Sequence, residues 1–300
     1  MYLYPSEAEA EDGARIGGSG FFVGVYLDSP LNQHALRVLV TNKHVVHDGN
    51  MVARLNTHDG GKDVLPLDDA RWIFSKEDDL AICPVLVDPR LFKHNYIRPW
   101  TLITKEKIEE FAVGPGDDVF FVGRFIDREG RQRNLPSARF GNISQMPVEP
   151  IKFDEGVEQE SFPIEARSIA GYSGAPVFLH FLPQPGMPSA LFEKVKGSLP
   201  DYVAKRQFTQ YGIPFEPYLL GVNHCHIFSN EPVINIHTGK PHPDWHVRSN
   251  TGMMGVVPAW KLSDLLNGPE MMPIIAAMKQ SLQRALATNQ PLSKGGETPR

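Results

Sequence analysis

Short apolar runs broken by turn residues dominate this chain, and few stretches hold a helical period. Gly20–Leu27 and Leu36–Thr41 are apolar runs of strand length on either side of a turn at Asp28–Gln33. Val52–Leu55 and Ala70–Phe74 read as further strands, after a turn at Asp48, Gly49 and Asn50. Residues 88–112 are mixed and partly helical, and read as a link between two halves. Val119–Phe125, Ala138–Ile143, Phe162–Ile169, Ala175–Phe181 and Tyr218–Ile227 continue the strand series. The charged stretch 127–134 reads as a hairpin tip between the first two of these. Residues 183–216 are long for a connection between neighbouring strands, and loops of that length are functional or disordered. Residues 229–250, rich in Pro, Asn and His, read as a surface loop.

The two ends differ from this pattern. Residues 1–14 are acidic and read as a disordered tail. Past Pro258 the pattern turns helical, and Pro273 is suited to a first helical turn, where its missing N–H is not needed. Ile274, Met278, Leu282 and Leu286 recur every fourth residue, which predicts a C-terminal helix over 267–287. That stripe packs on its own domain or, as the alternative, receives a protein partner. Residues 288–300 read as a second disordered tail.

Composition agrees with many short strands. Glycine and proline number 26 each in 300 residues, above the usual share. Hydrophobic residues make up 41% and charged residues 22%, as in soluble globular proteins. A net charge of −5 argues against nucleic-acid binding as the main role. No run of 18 apolar residues predicts a membrane span, and the acidic N-terminus lacks the apolar core of a secretory signal. A cytoplasmic location is the resulting expectation. The two cysteines, Cys83 and Cys225, read as small buried hydrophobes, with a disulfide or metal pair as the alternative.

The chemistry centres on Gly171-Tyr172-Ser173-Gly174-Ala175-Pro176. Two glycines let the backbone present Ser173 on a tight turn. The amides of Gly171 and Ser173 then converge as an oxyanion hole. A serine needs a base, and His44 ends the β-like run Val38–Val40 in TNKHVV. Asp79, ahead of the apolar run Leu80-Ala81-Ile82, is the candidate acid, with Asp78 as its rival. His224 and His226 share a strand face, yet no third ligand stands at a diagnostic spacing, so no metal is expected. The Gly17–Gly20 stretch lacks the GK[ST] ending of a P-loop, and no cofactor is expected.

In their order His44, Asp79, Ser173, these pieces resemble the trypsin-like (chymotrypsin-fold) serine peptidases, most of all the bacterial Do-like (HtrA-type) branch without disulfides. GSGFFV, TNKHVV, DLAI, GYSGAP, LLGVNH and GVVPAWKL carry the resemblance, which spans residues 16–266. It implies an all-β fold with a few helices: two antiparallel six-stranded β-barrels and a C-terminal helix. The peptidase domain would cover 15–266, with barrel 1 over about 15–112 and barrel 2 over about 113–266, and with no peptide-binding PDZ domain after it. It implies a serine endopeptidase acting on polypeptides through His44, Asp79 and Ser173, with the oxyanion held by Gly171 and Ser173. The other reading is a catalytically silent module that binds a peptide or partner, through the 183–216 insertion or the C-terminal helix. Digestive relatives are activated by cleavage at a site similar to Arg15-Ile16-Gly17-Gly18, after which the freed amine pairs with an aspartate just before the serine. Here that position is Tyr172, so no such activation is expected. The pocket for the residue before the cut would be built from Glu165–Ala170 and Gly221–Ile227, which offer Arg167, Asn223, His224 and His226. A cation at Arg167 would favour an acidic side chain, unless it faces solvent or pairs with Glu165.

Overall fold

The computed structural model describes residues 1–15, 17–28, 34–124, 130–152, 158–166, 171–180 and 217–288. The chain is mostly β with a few helices. In the first half, β1 (Tyr2–Tyr4), β2 (Gly18–Ser19), β5 (Val52–Thr57), β6 (Lys62–Pro66) and β9 (Phe92–Lys93) form one antiparallel sheet. A second sheet runs in the order β3 (Phe21–Tyr26), β4 (Ala35–Thr41), β8 (Ala81–Val85), β7 (Ile73–Phe74). Gly20 passes the chain from β2 in one sheet to β3 in the other. A Cβ there would stand 3.1 Å from the Val40 carbonyl oxygen, so the close approach suits glycine. The sheets share a core of Leu3, Phe22, Leu39, Leu55, Cys83 and Phe92. Burying each such Leu or Phe side chain is worth roughly 1.5–3 kcal/mol.

In the second half six antiparallel strands pair as one closed ring. They are β10 (Asp118–Gly123), β11 (Ser137–Ile143), β14 (Phe162–Glu165), β17 (Pro241–Pro258), β16 (Leu219–Ile234) and β15 (Pro176–Leu179). Alternation sets the inner face: Val119 and Phe121 of β10 are fully buried, while Phe120 between them is not. A separate small hairpin pairs β12 (Ile151–Lys152) with β13 (Glu158–Gln159). The strands described in the first half therefore pair as two sheets rather than in one six-stranded ring.

The N-terminal residues are not a tail, which corrects the expectation for 1–14. Tyr2–Tyr4 are buried between β2 and β5, and helix α1 (Glu7–Asp12) follows. Ser6 caps α1 by accepting from the Glu9 amide at 3.3 Å, and Gly13 at φ +73° ends it. The acids that make this stretch read as disordered include Glu7 and Glu9 in the first helical turn, where the helix dipole favours them. The 229–250 stretch is corrected too. It forms the outer arms of β16 and β17, paired through Pro232 with His246 and Ile234 with Pro241. Both faces of those arms meet solvent, so no alternation marks them as strand. The segment over Ala70–Phe74 holds strand only at Ile73–Phe74.

Helix α3 (Lys105–Glu110) lies in the link between the halves, and the C-terminal end has two helices, α4 (Ala259–Leu266) and α5 (Met271–Thr288), parted at Asn267-Gly268. Ile274 and Met278 pack on the main core, while Leu286 at 50% exposure does not. Among the described residues no helix is long and apolar enough to cross a membrane. The insertion 183–216, Arg167 and the segment 289–300 lie outside the described residues.

Candidate active site

Helix α2 (Lys43–His47) starts two residues after β4 and puts His44 in its first turn. Asp79 comes from the turn before β8, where the buried Leu80 and Ile82 anchor the chain. The two halves of its carboxylate do different work. Oδ2 lies 2.6 Å from His44 Nδ1, and Oδ1 accepts from the His44 backbone N–H at 3.0 Å. Ring and helix are thus gripped by one acid, which fixes the tautomer and orientation of the imidazole. Asn42 donates to the Asp79 carbonyl at 2.8 Å and ties the same two segments together. Burial alone would raise the Asp79 carboxyl, but the hydrogen bonds and charge of His44 hold it below its ordinary value.

Asp78 faces elsewhere. Ser75 Oγ donates to it at 3.1 Å and accepts from its amide at 3.1 Å, and Lys261 of α4 stands 3.8 Å from Oδ1. It closes a turn and meets a helix, and burial raises its carboxyl despite Lys261.

The serine turn depends on glycine. Gly171 has φ +95° and Gly174 φ +81°. A Cβ on Gly174 would come within 2.1 Å of the Ser19 carbonyl oxygen, so no other residue fits. Ala175 N–H donates to the Tyr172 carbonyl at 2.8 Å and closes the turn. Ser19 then clamps it: its amide donates to the Ser173 carbonyl at 2.7 Å and its hydroxyl to the Gly171 carbonyl at 3.0 Å. Thr41 Oγ1 donates in turn to the Ser19 carbonyl at 2.9 Å, linking the clamp to the strand that leads into the His44 helix. Tyr172 is buried, with its phenol 2.6 Å from Ser137 Oγ and accepting from Arg139 Nε at 3.1 Å. A phenol, not a carboxylate, anchors the residue before the serine.

Serine turn and histidine helix meet across β2. A Cβ on Gly18 would touch Val45 Cγ2 at 2.8 Å and the Ser173 carbonyl oxygen at 3.1 Å. Among the described residues, the amides of Gly171 and Ser173 donate to no protein acceptor.

The expected specificity pocket is only partly drawn. Arg167 lies outside the described residues. Asn223 is buried behind the turn: its carbonyl accepts from Gly174 N at 2.9 Å and its Nδ2 donates to the Tyr172 carbonyl at 3.1 Å. His224 turns inward to Gln159 and Ser161, a correction to its expected place on an open wall. A bulge between Asn223 and Cys225 breaks the period-2 alternation, so His224 and His226 keep different company. His226 lies edge-on to Phe228 at 6.1 Å, and burial lowers its imidazole. Neither Cys83 nor Cys225 is in a disulfide, and burial pushes the Cys83 thiol up to about 12.

Sequence reasoning missed Ser19, Thr41, Gln159 and Ser161 as parts of this site. Ser19 alone had a signal, its place between two glycines ahead of a strand.

A family profile of the trypsin-like peptidase domain matches residues 18–180. Among solved structures, the chain is similar to Deg5 at 14% identity, over 70% of this chain and 79% of that one, with a TM-score of 0.37. It is also similar to an HtrA-type protease, AlgW, solved with a decapeptide, at 14% identity over 93% of this chain and 68% of that one, with a TM-score of 0.36. No curated protein sequence matches it.

Proposed function

This chain belongs to the trypsin-like peptidase family, and from that premise we propose that it is a serine endopeptidase working through an acyl-enzyme. Ser173 Oγ attacks the scissile carbonyl, and His44 Nε2 takes its proton. Asp79 keeps the Nδ1–H of the ring toward itself and stabilises the imidazolium that forms. The amides of Gly171 and Ser173 receive the tetrahedral oxyanion. His44 then gives its proton to the leaving amine, and the C–N bond breaks. Water, deprotonated by the same imidazole, attacks the acyl-enzyme and releases the carboxylic acid and Ser173. In the same reading the two sheets of the first half, joined at Gly20, take the place of the first barrel.

One observation carries the proposal: the Asp79 carboxylate holds both Nδ1 and the backbone amide of His44. A buried acid gripping one histidine twice is costly unless the ring must be aimed. A polypeptide digest tests it. Ser173→Ala, His44→Ala and Asp79→Ala should each remove most turnover, about 10⁴-fold or more, in folded protein, and the losses should not add. Full activity in Asp79→Ala with loss in Asp78→Ala would overturn the choice of acid.

A further inference from the structure

Gln159 sits on β13 in the second half of the chain and is 3% exposed. Its side chain crosses to the first half. Oε1 accepts from the Asp79 backbone N–H at 2.8 Å. Nε2 lies 3.0 Å from both ring nitrogens of His224. One amide group therefore touches the backbone of the candidate acid on one side and β16 on the other.

The next residue along β16 completes the path. Asn223 precedes His224, and it holds the serine turn through its carbonyl to Gly174 N and its Nδ2 to the Tyr172 carbonyl. Glycine or carbonyl groups on both sides of Ser173 are thus tied to a dipeptide whose second member packs on Gln159. Asp79, Gln159, His224, Asn223 and the serine turn form one run of contacts from one half to the other. We propose that Gln159 is a positioning residue, fixing the His44–Asp79 pair of the first half against the Ser173 turn of the second. This rests on the peptidase reading above.

The chemistry of the bridge suits its place. An amide offers an acceptor to Asp79 N–H and a donor to an imidazole without adding charge. His224 is 6% exposed and also meets Ser161 Oγ at 3.1 Å and Cys225 Sγ at 3.7 Å. Burial lowers its imidazole to about 4, with the Asp79 carboxylate opposing that shift and His44 adding to it. A neutral ring leaves the charge of Asp79 undivided for His44. Among the described residues, the ionisable groups that act on the ring include Asp79, His44 and the Cys225 thiol.

The test uses the full chain with Gln159→Leu, which keeps bulk and removes both polar contacts. Two readings are taken. Peptide hydrolysis should lose about 10–100-fold in kcat, the cost of a misplaced reacting group, with KM within about twofold of wild type. The low-field proton NMR resonance of His44 Nδ1–H, bonded to Asp79, should move upfield or broaden. A folded Gln159→Leu with wild-type kcat and an unshifted resonance would overturn the proposal, as would a loss confined to KM. His224→Gln, which restores an amide partner for Gln159, gives the second arm if Gln159→Leu does not fold. It should keep the resonance and lose less than about tenfold in kcat. A His224→Gln protein with the resonance gone and kcat intact would also overturn it. The resonance is read without turnover, so an inactive wild type would sink the peptidase reading while the bridge is still judged by NMR.

Discussion

Arg54 reaches from the first half of the molecule into the second, and Gln159 reaches from the second into the first, yet the two junctions are built from opposite materials. Arg54 brings a charge into a fully buried place on β5. Its Nε donates to Asn134 Oδ1 at 2.7 Å, one amine to the Ala10 carbonyl and the other to the Gly130 carbonyl, both at 3.0 Å. Its guanidinium lies 4.9 Å from the Tyr4 ring centroid. Asn134 returns two bonds, from Nδ2 to the Arg54 carbonyl and from its own amide to Asn56 Oδ1, each at 2.7 Å. Gln159 brings no charge at all. The difference teaches what each place tolerates. On β5, a guanidinium whose Nε and two terminal nitrogens each meet an acceptor makes a strong tie. Beside Asp79, any charge would compete for the carboxylate that holds His44, so the tie is neutral.

Breaking the charged junction should cost the most. Arg54→Ala leaves buried carbonyls and Asn134 without their donor, and strips packing from Tyr4 and Tyr2. Urea unfolding should show a loss of about 3–5 kcal/mol. The reactivity of Ser173 in the remaining folded protein should change little. A loss below about 1 kcal/mol would mean the junction is not the tie it appears from its bonds.

The neutral junction shows itself in pH. Folded, His224 stays neutral down to about 4, whereas its ordinary value is 6.5. Above 6.5 both states are neutral and this group adds no slope. As pH falls from 6.5 toward 4 the unfolded chain binds a proton that the folded chain refuses, so stability declines, by up to ~3 kcal/mol in all. His224→Gln should flatten that part of the urea-midpoint profile. An equally steep decline in the variant would remove His224 as its source.

Smaller effects sharpen the contrast. Asn134→Ala should lose about 2 kcal/mol, less than Arg54→Ala, because the guanidinium keeps its carbonyl partners. Asp78→Asn should leave turnover within about twofold and stability within about 1 kcal/mol, since burial already disfavours its charge and Lys261 keeps Glu160 at 3.6 Å. A hundredfold loss of turnover in Asp78→Asn would put the acid at the wrong residue.

These junctions also mark the limit of what the sequence reveals. His44, Asp79 and the Gly171–Pro176 turn were legible because each sits in a local motif: a strand end, an acid before an apolar run, a serine between glycines. Arg54, Asn134 and Gln159 carry no such mark. Each is an ordinary polar residue until the fold brings its partner from the other half. The same holds for His224, which reads as a pocket wall when a strand is assumed regular. The bulge next to it turns the ring inward. Tyr2–Tyr4 is three residues long, too short to outweigh the acids of α1 in a window of composition. The outer arms of β16 and β17 have solvent on both faces, so their composition follows solvent exposure rather than strand period.

Labelling with a fluorophosphonate probe, followed by peptide mapping, tests the central claim most directly. A single adduct on Ser173 Oγ is expected in folded wild type, formed at least about a thousandfold more slowly in His44→Ala. Folded wild-type protein that takes no label, or that takes it on another serine at a rate indifferent to His44, would contradict the account.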